Sequence, residues 1–175
     1  GHKMFFAGQG GAVVTDDKDF HVRLLDLRDH GRRDGGPAKD VLHPVVGFNF
    51  KYPSLMAGVV LAQLAELDDR LARAQQRDEW YRELLGDCPG IEFPGGTPRQ
   101  GEVPLWADIY ADDKETLMAA LQVADIGFRP FFLPLHRQEP YRLNDDAFPN
   151  AVESWQKGLW LPSATSLTRE HAEQV

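Results

Sequence analysis

The sequence predicts an α/β fold in which short strands are separated by helices, and three observations carry that prediction. A helical period runs over residues 54–85, with Val60, Leu64, Leu67 and Leu71 on one apolar stripe. Short apolar runs at 12–15, 91–93, 105–111, 128–133 and 159–161 alternate with segments of helical period. Side chains that cap helices stand where those segments begin, as Asp16-Asp17, Asp112-Asp113 and Thr168.

Taken in order, residues 12–15 read as a strand, and Asp16-Asp17 then cap a helix. Phe20, Leu24 and Leu27 follow at helical spacing, so this helix is expected to reach about His30 and Gly31. Residues 31–46 mix Gly, Pro, Arg and Asp without period. They form a loop of more than usual length, and such loops in compact domains are often functional. The segment 47–53 is closed by Ser54 as the expected N-cap of the long helix. In that helix Asp68, Arg70, Arg73 and Arg77 lie off the apolar stripe, and Gly86 and Pro89 end it. A helix of this length usually bridges two layers or two domains. Residues 94–101 are a Pro/Gly turn region. After Asp112-Asp113 a helix turns Leu117, Leu121 and Ala124 inward. Pro130 interrupts the run 128–133, which places that strand at an edge or a bend. A helix around 151–157 stops at Gly158, a last short strand follows, and Thr168 caps a terminal helix.

The composition is globular. With 175 residues, 42% hydrophobic and 26% charged, the chain can bury a core. Its formal net charge of -8 argues against a nucleic-acid surface and against attraction to anionic lipid. An anionic small ligand stays compatible, because a site needs only local cations. The single cysteine, Cys88, precedes Pro89-Gly90 and reads as a structural thiol; a reducing cytoplasm is the expected compartment. No apolar run is long enough to span a bilayer, and no signal-peptide pattern opens the chain. His30, His43 and His136 lack the spacing of metal ligands, so no metal is expected. A strand and one helix cannot bury their own apolar faces. Residues 1–53 are therefore expected either to continue a longer protein or to be completed by a partner.

The most informative chemical pattern is Lys3 five residues ahead of Gly8-Gln9-Gly10-Gly11. A primary amine beside a glycine-dense turn can hold an aldehyde cofactor as a Schiff base, the glycines letting chain and cofactor approach closely. A solvated surface lysine is the alternative. The glycines lack the Gly-x-Gly-x-x-Gly pattern and the preceding strand of a dinucleotide fold.

Four blocks in order then resemble the DegT-type nucleotide-sugar aminotransferases, pyridoxal-phosphate enzymes of fold type I, the aspartate aminotransferase-like class. The first is Lys3 with Gly8-Gln9-Gly10-Gly11. The second is Gly47-Phe48-Asn49-Phe50-Lys51 leading into Ala57-Gly58-Val59-Val60-Leu61-Ala62-Gln63-Leu64. The third is Arg129-Pro130-Phe131-Phe132-Leu133-Pro134-Leu135-His136 with Pro140-Tyr141. The last is Gly158-Leu159-Trp160-Leu161-Pro162-Ser163 with Ser166-Leu167-Thr168. Together they cover nearly the whole chain, which resembles the C-terminal half of such an enzyme.

The resemblance implies an α/β architecture in which residues 1–53 finish the cofactor-binding large domain. Residues 54–175 would form a smaller α+β domain with the bridging helix 54–85. It implies pyridoxal 5'-phosphate as cofactor, a keto-sugar nucleotide as acceptor, glutamate as amino donor, and a homodimer with a shared active site. Lys3 would carry the cofactor and move the proton between the donor carbon and the cofactor, a task that needs a neutral amine, which burial favours. Asn49 matches the position where a loop of the neighbouring subunit reaches the cofactor phosphate, and an amide is a short neutral donor for an anion. His136 matches a histidine near the sugar site.

Asn49 could equally turn its loop, and His136 could be a packed loop histidine. Arg129 reads as a surface or salt-bridging residue, and Phe131-Phe132 as core. Lys51 stands where many relatives have Arg, Phe5-Phe6-Ala7 replaces a polar stretch, and Met56 replaces a polar residue at the helix start. Lys3 argues against the sugar-dehydratase subgroup, which has His at that place. The family's Asp for the pyridine nitrogen, its ring stack and most of its phosphate cup match nothing here, so the chain by itself is not expected to be a competent enzyme. The rival reading is a non-catalytic sugar-nucleotide-binding or dimerisation module, which would have no need to keep Lys3 and its glycine turn.

Overall fold

A computed structural model describes residues 3–6, 8–32, 42–95 and 101–175. The chain forms two compact units, Gly1–Glu66 and Leu67–Val175.

In the first unit, helix α1 spans Lys18–Arg28, and the Asp17 carboxylate accepts a 3.0 Å hydrogen bond from the Phe20 amide at its start. The sequence placed this cap and this helix correctly. The chain then returns alongside the end of α1. The Phe48 amide donates to the Leu27 carbonyl at 2.8 Å and the Phe50 amide to the Arg28 carbonyl at 2.9 Å. The result is an isolated antiparallel bridge between Asp29 and Asn49. Gly31 makes this return possible: its φ is +78°, and a Cβ there would stand 1.8 Å from the Val45 carbonyl oxygen. Part of the long loop, residues 33–41, lies outside the described residues.

Two expectations fail in this unit. Residues 12–15 form no strand, and Val14 is 95% exposed. A strand needs a neighbour for its amides and carbonyls, and none of the described residues here provides one. Helix α2, Ser54–Leu64, has Pro53 rather than Ser54 at the N-cap, with no side-chain capping bond. None of its residues is buried, and Leu55, Val59, Leu61 and Leu64 are exposed.

The helix expected over 54–85 is interrupted. At Ala65 and Glu66 the bonding tightens, the Glu66 amide turning to the Gln63 carbonyl three residues back, and α3 then runs Leu67–Leu85. Neither glycine nor proline marks the break, so the sequence carries no local signal of it. The two compact units divide here, after Glu66.

The second unit is a four-stranded antiparallel sheet with helices around it. Strands β1 (Ile91–Glu92), β2 (Ala107–Ala111), β3 (Arg129–Pro130) and β4 (Gly158–Leu161) lie in the order β1-β2-β4-β3. Pro130 is on the edge strand, as its missing amide requires. Ala107, Ile109 and Ala111 of β2 are buried at every second position. Tyr81 of α3, Ile109 and Leu159 are fully enclosed, with Leu121, Leu161 and Ala172 packed in the same core. The Tyr81 hydroxyl donates to the Pro162 carbonyl at 3.0 Å, and burial pushes its phenol up to about 12.

The buried face of α3 is Ala74, Arg77, Asp78 and Tyr81. Arg77, read as lying off the apolar stripe, is only 3% exposed. Its guanidinium donates to the carbonyls of Ser163 and Pro104 at 2.8 and 2.7 Å, which lets the arginine stem serve as core packing. Helix α4, Lys114–Val123, is capped by Asp113 and buries Leu121, whereas Ala124, expected inward, is its exposed C-cap. Helix α5, Pro149–Lys157, stops at Gly158, where a Cβ would meet the Phe131 ring at 2.2 Å. Helix α6, Arg169–Ala172, is opened by Thr168 in a reciprocal cap with His171. The 3-10 turns Leu135–Arg137, Glu139–Tyr141 and Asp145–Ala147 had no helical period to announce them. Among the described residues no helix is long and apolar enough to cross a membrane.

Leu159→Ala should destabilise the second unit by about 2–5 kcal/mol, through lost burial plus the cavity left behind. Val123→Ala, at a side chain 90% exposed, should change stability by less than about 0.5 kcal/mol. Denaturant unfolding of both variants measures the difference.

Candidate active site

Phe6 and Gly8 lie against α2. Helix residues Met56, Val60 and Gln63 recur at spacings of four and three, which puts them on one face. The Gln63 side chain accepts a 3.0 Å hydrogen bond from the Phe6 amide, and its own amide donates to the Phe6 carbonyl. Met56 covers Gly8, where φ is +79° and a Cβ would stand 3.6 Å from the Met56 methyl. A Cβ on Gly10 would come within 2.4 Å of the Tyr52 ring, so glycine is required for that approach.

Between these elements lies a cavity of about 560 Å³, lined by Lys3, Phe6, the glycine turn, Tyr52 and Val60. Its size suits a small organic cofactor. Lys3 reaches the cavity but is exposed; the described residues of this unit do not bury the amine.

A second cavity, of about 730 Å³, shares Gln9, Gly10, Gly11 and Tyr52 with the first and extends over Leu24, Arg28, Phe48 and Phe50. The Phe48 and Phe50 rings stack at 5.1 Å. Asn49, between them, lines neither cavity and is exposed. On a backbone that bridges to Asp29, residues 48 and 50 share one side and residue 49 takes the other. Lys51 and Arg32 each donate to Asp29 at 2.7 Å; the Lys51 bond first, then Arg32, lowers that carboxyl to about 2.

His136 belongs to the second unit. Its ring is 6% exposed and stacks on Phe148 at 4.5 Å, while Nε2 stands 3.0 Å from Asp145 Oδ1. Asp145 also accepts two bonds from the Arg137 guanidinium, which lies over the Trp155 ring at 4.5 Å. Arg137 foremost, with a further hydrogen bond from His136, holds the Asp145 carboxyl at about 2. His136 is therefore a packed histidine, and it also lines a cavity of about 410 Å³ together with Leu133, Arg142 and Asn144. Arg129 sits over the rings of Phe132 and Trp160, at 4.5 and 5.7 Å. Phe131 packs against Trp160, but Phe132, read as core, is 61% exposed.

Lys3 and Asn49 thus share a unit without sharing a cavity, and His136 lies in the other unit. Sequence reasoning missed Tyr52, Met56 and Gln63 as supports of the lysine segment. The helical spacing of Met56, Val60 and Gln63 was a usable signal, but apolar residues all around α2 hid which face meets the glycine turn.

The family profile of DegT/DnrJ/EryC1/StrS aminotransferases matches residues 1–175. The chain belongs to this family. It is similar to the GDP-perosamine synthase of Caulobacter vibrioides, 27% identical over 182 residues that cover all of this chain and 48% of that protein. Among solved structures it is similar to DesI, determined in the presence of its TDP-sugar product. The identity there is 26% and the TM-score 0.76, covering 98% of this chain and 45% of that one. The fold of AtS13 from Actinomadura melliaura matches with a TM-score of 0.85 at 21% identity, over 98% of this chain and 47% of that one. The chain spans about half the length of the curated relatives it matches. Its fold class is the α/β class of the fold-type I pyridoxal-phosphate transferases, as the sequence predicted. The relatives' names do not favour the non-catalytic module.

The Asp145 carboxyl is held below its ordinary 3.8, so its pairing with Arg137 contributes fully above that pH and is lost as pH falls through about 2. The stability difference between the native protein and Asp145→Asn should shrink as pH falls from about 4 and vanish toward pH 2. Paired thermal melts across that range check it.

Proposed function

We propose that this chain is the C-terminal half of a pyridoxal-phosphate-dependent aminotransferase that transfers an amino group, from glutamate, to a keto-sugar nucleotide. The observation that carries the reading is Lys3. It is a primary amine on a glycine-turn segment, lining a cavity of about 560 Å³, in a chain whose whole length matches the aminotransferase family. In this reading residues 1–53 complete the cofactor-binding domain, and the remainder, with α2 and α3 as its bridging helices, forms the smaller one.

The residues present fit the cofactor. The amine is the group that reacts with an aldehyde, and the glycine turn at 8–11 lines the same cavity as Lys3. Pyridoxal 5'-phosphate, when bound, supplies the electron sink that makes the donor's α-proton removable. Lys3 would hold the cofactor through its amine and, as a free amine, would accept and return the donor's α-proton. The exposure of Lys3 in this unit fits an arrangement in which the other half of the enzyme closes over it.

Asn49, exposed and turned from the cavities beside it, supports a role toward a neighbouring subunit's cofactor phosphate and hence a homodimer with shared sites. His136 takes the sugar-nucleotide side, held by Asp145 and Phe148 and open to a cavity that Arg142 and Asn144 also line. The nucleotide-sugar substrate draws its support from the GDP-perosamine synthase and from DesI. The single cysteine supports a reducing, cytoplasmic setting.

Borohydride reduction of the full-length protein, followed by peptide mapping, should place a phosphopyridoxyl group on Lys3. Lys3→Ala should remove that adduct and lower transaminase turnover by at least about 10²–10⁴-fold. A reducible adduct and full activity surviving in Lys3→Ala, or no adduct on the native full-length protein, would overturn the reading.

A further inference from the structure

We infer that Gln63 is a positioning residue for Lys3, fixing the lysine's backbone segment on α2 through a two-way hydrogen-bonded pair with Phe6. The proposal rests on the reading of Lys3 as the residue that carries the cofactor.

A carboxamide offers one acceptor and one donor in a plane, as a peptide group does. Gln63 uses both on a single residue: its Oε1 accepts from the Phe6 amide at 3.0 Å, and its Nε2 donates to the Phe6 carbonyl. This is the bonding a neighbouring strand would give Phe6, supplied here by one side chain from 57 residues away in the sequence. Among the described residues, no backbone hydrogen bond from outside the segment reaches Lys3 to Phe6.

Gln63 does not act alone on this face. Met56, two turns earlier on α2, covers Gly8, and Tyr52, just ahead of the helix, covers Gly10. Those two contacts are apolar and sense only that a glycine lies beneath them. The Gln63 pair is directional, and among the described residues it is the hydrogen-bonded contact that fixes the register of the segment along the helix. It grips Phe6, three residues beyond Lys3, so a slip of one residue there would move the lysine Cα by about 3.3–3.6 Å. A lysine has four rotatable bonds, and its amine can be aimed only if its backbone is held. Misplacing a reacting group by about 1 Å can cost about 10²-fold in rate.

The test uses the full-length protein with Gln63→Leu, which removes both bonds, and Gln63→Glu, which keeps an acceptor for the Phe6 amide but loses the donor. Hydrogen exchange is followed at the Phe6 amide and along α2. The yield of borohydride-trapped phosphopyridoxyl on Lys3 and the pH midpoint of the bound cofactor's absorbance are measured in parallel. Gln63→Leu should speed exchange at Phe6 by roughly ten- to a hundredfold while leaving α2 unchanged. It should also lower the trapped yield several-fold and shift the absorbance midpoint, with Gln63→Glu intermediate in each.

Unchanged trapping and an unchanged midpoint in both variants, with a normal adduct on the native protein, would overturn the positioning role and leave the cofactor reading standing. Faster exchange along all of α2 would reduce Gln63 to a helix-stabilising residue and overturn the proposal equally. No adduct on the native protein would overturn the cofactor reading itself, and exchange at Phe6 would then report only whether the hydrogen-bonded pair exists.

Discussion

Antiparallel pairing of β2 with β4 sets Ile109 opposite Leu159, and the second unit is organised around that pair. Both side chains are fully enclosed, and Tyr81 of α3 joins them, its hydroxyl satisfied by the Pro162 carbonyl just beyond β4. The order β1-β2-β4-β3 makes these two strands the inner ones, so each edge strand needs only two residues to pair. The segment that carries His136 leaves from the β3 edge and is tied back near α5. Phe131 presses on Gly158, His136 stacks on Phe148, and Arg137 covers Trp155. A candidate substrate residue is thus held by a loop whose two ends are anchored in the sheet and at the helix that precedes β4.

The first unit is built differently. Its helices present apolar residues to solvent, and among its described residues only Asp26 and Gly31 are buried. Hydrogen bonds and close glycine contacts do the work that a core does elsewhere: the bridge at Asp29 and Asn49, the Gly31 turn against Val45, and the Gln63 pair at Phe6. Such interactions define a backbone path without burying much apolar area, and burial is the dominant stabilising term in most domains. The geometry around Lys3 therefore depends on a few directional contacts. Exposed Phe48, Phe50 and Leu55 are the surface left for whatever covers this unit.

The starts of α1, α4 and α6 were legible because capping is local. An aspartate at 17 or 113 and a threonine at 168 each satisfy an amide two or three residues ahead, and no distant residue is involved. The edge position of Pro130 and the stop at Gly158 were legible for the same reason. The break at Ala65 and Glu66 was not, since both residues favour helix and the change of bonding there has no side-chain cause in the local sequence. Arg77 misled because charge normally marks a solvent face, whereas here two carbonyls from distant loops receive it.

By itself the sequence determined the α/β class, the family, and Lys3 with its glycine turn as the place to look for chemistry. Those rest on residue types at short fixed spacing, which a linear reading can see. Tertiary structure alone decided that residues 12–15 stay unpaired, that Asn49 turns away from the cavities beside it, and that Gln63 grips Phe6. Each of these depends on which distant backbone groups come within hydrogen-bonding reach, and the spacing of residues along a chain does not encode that distance.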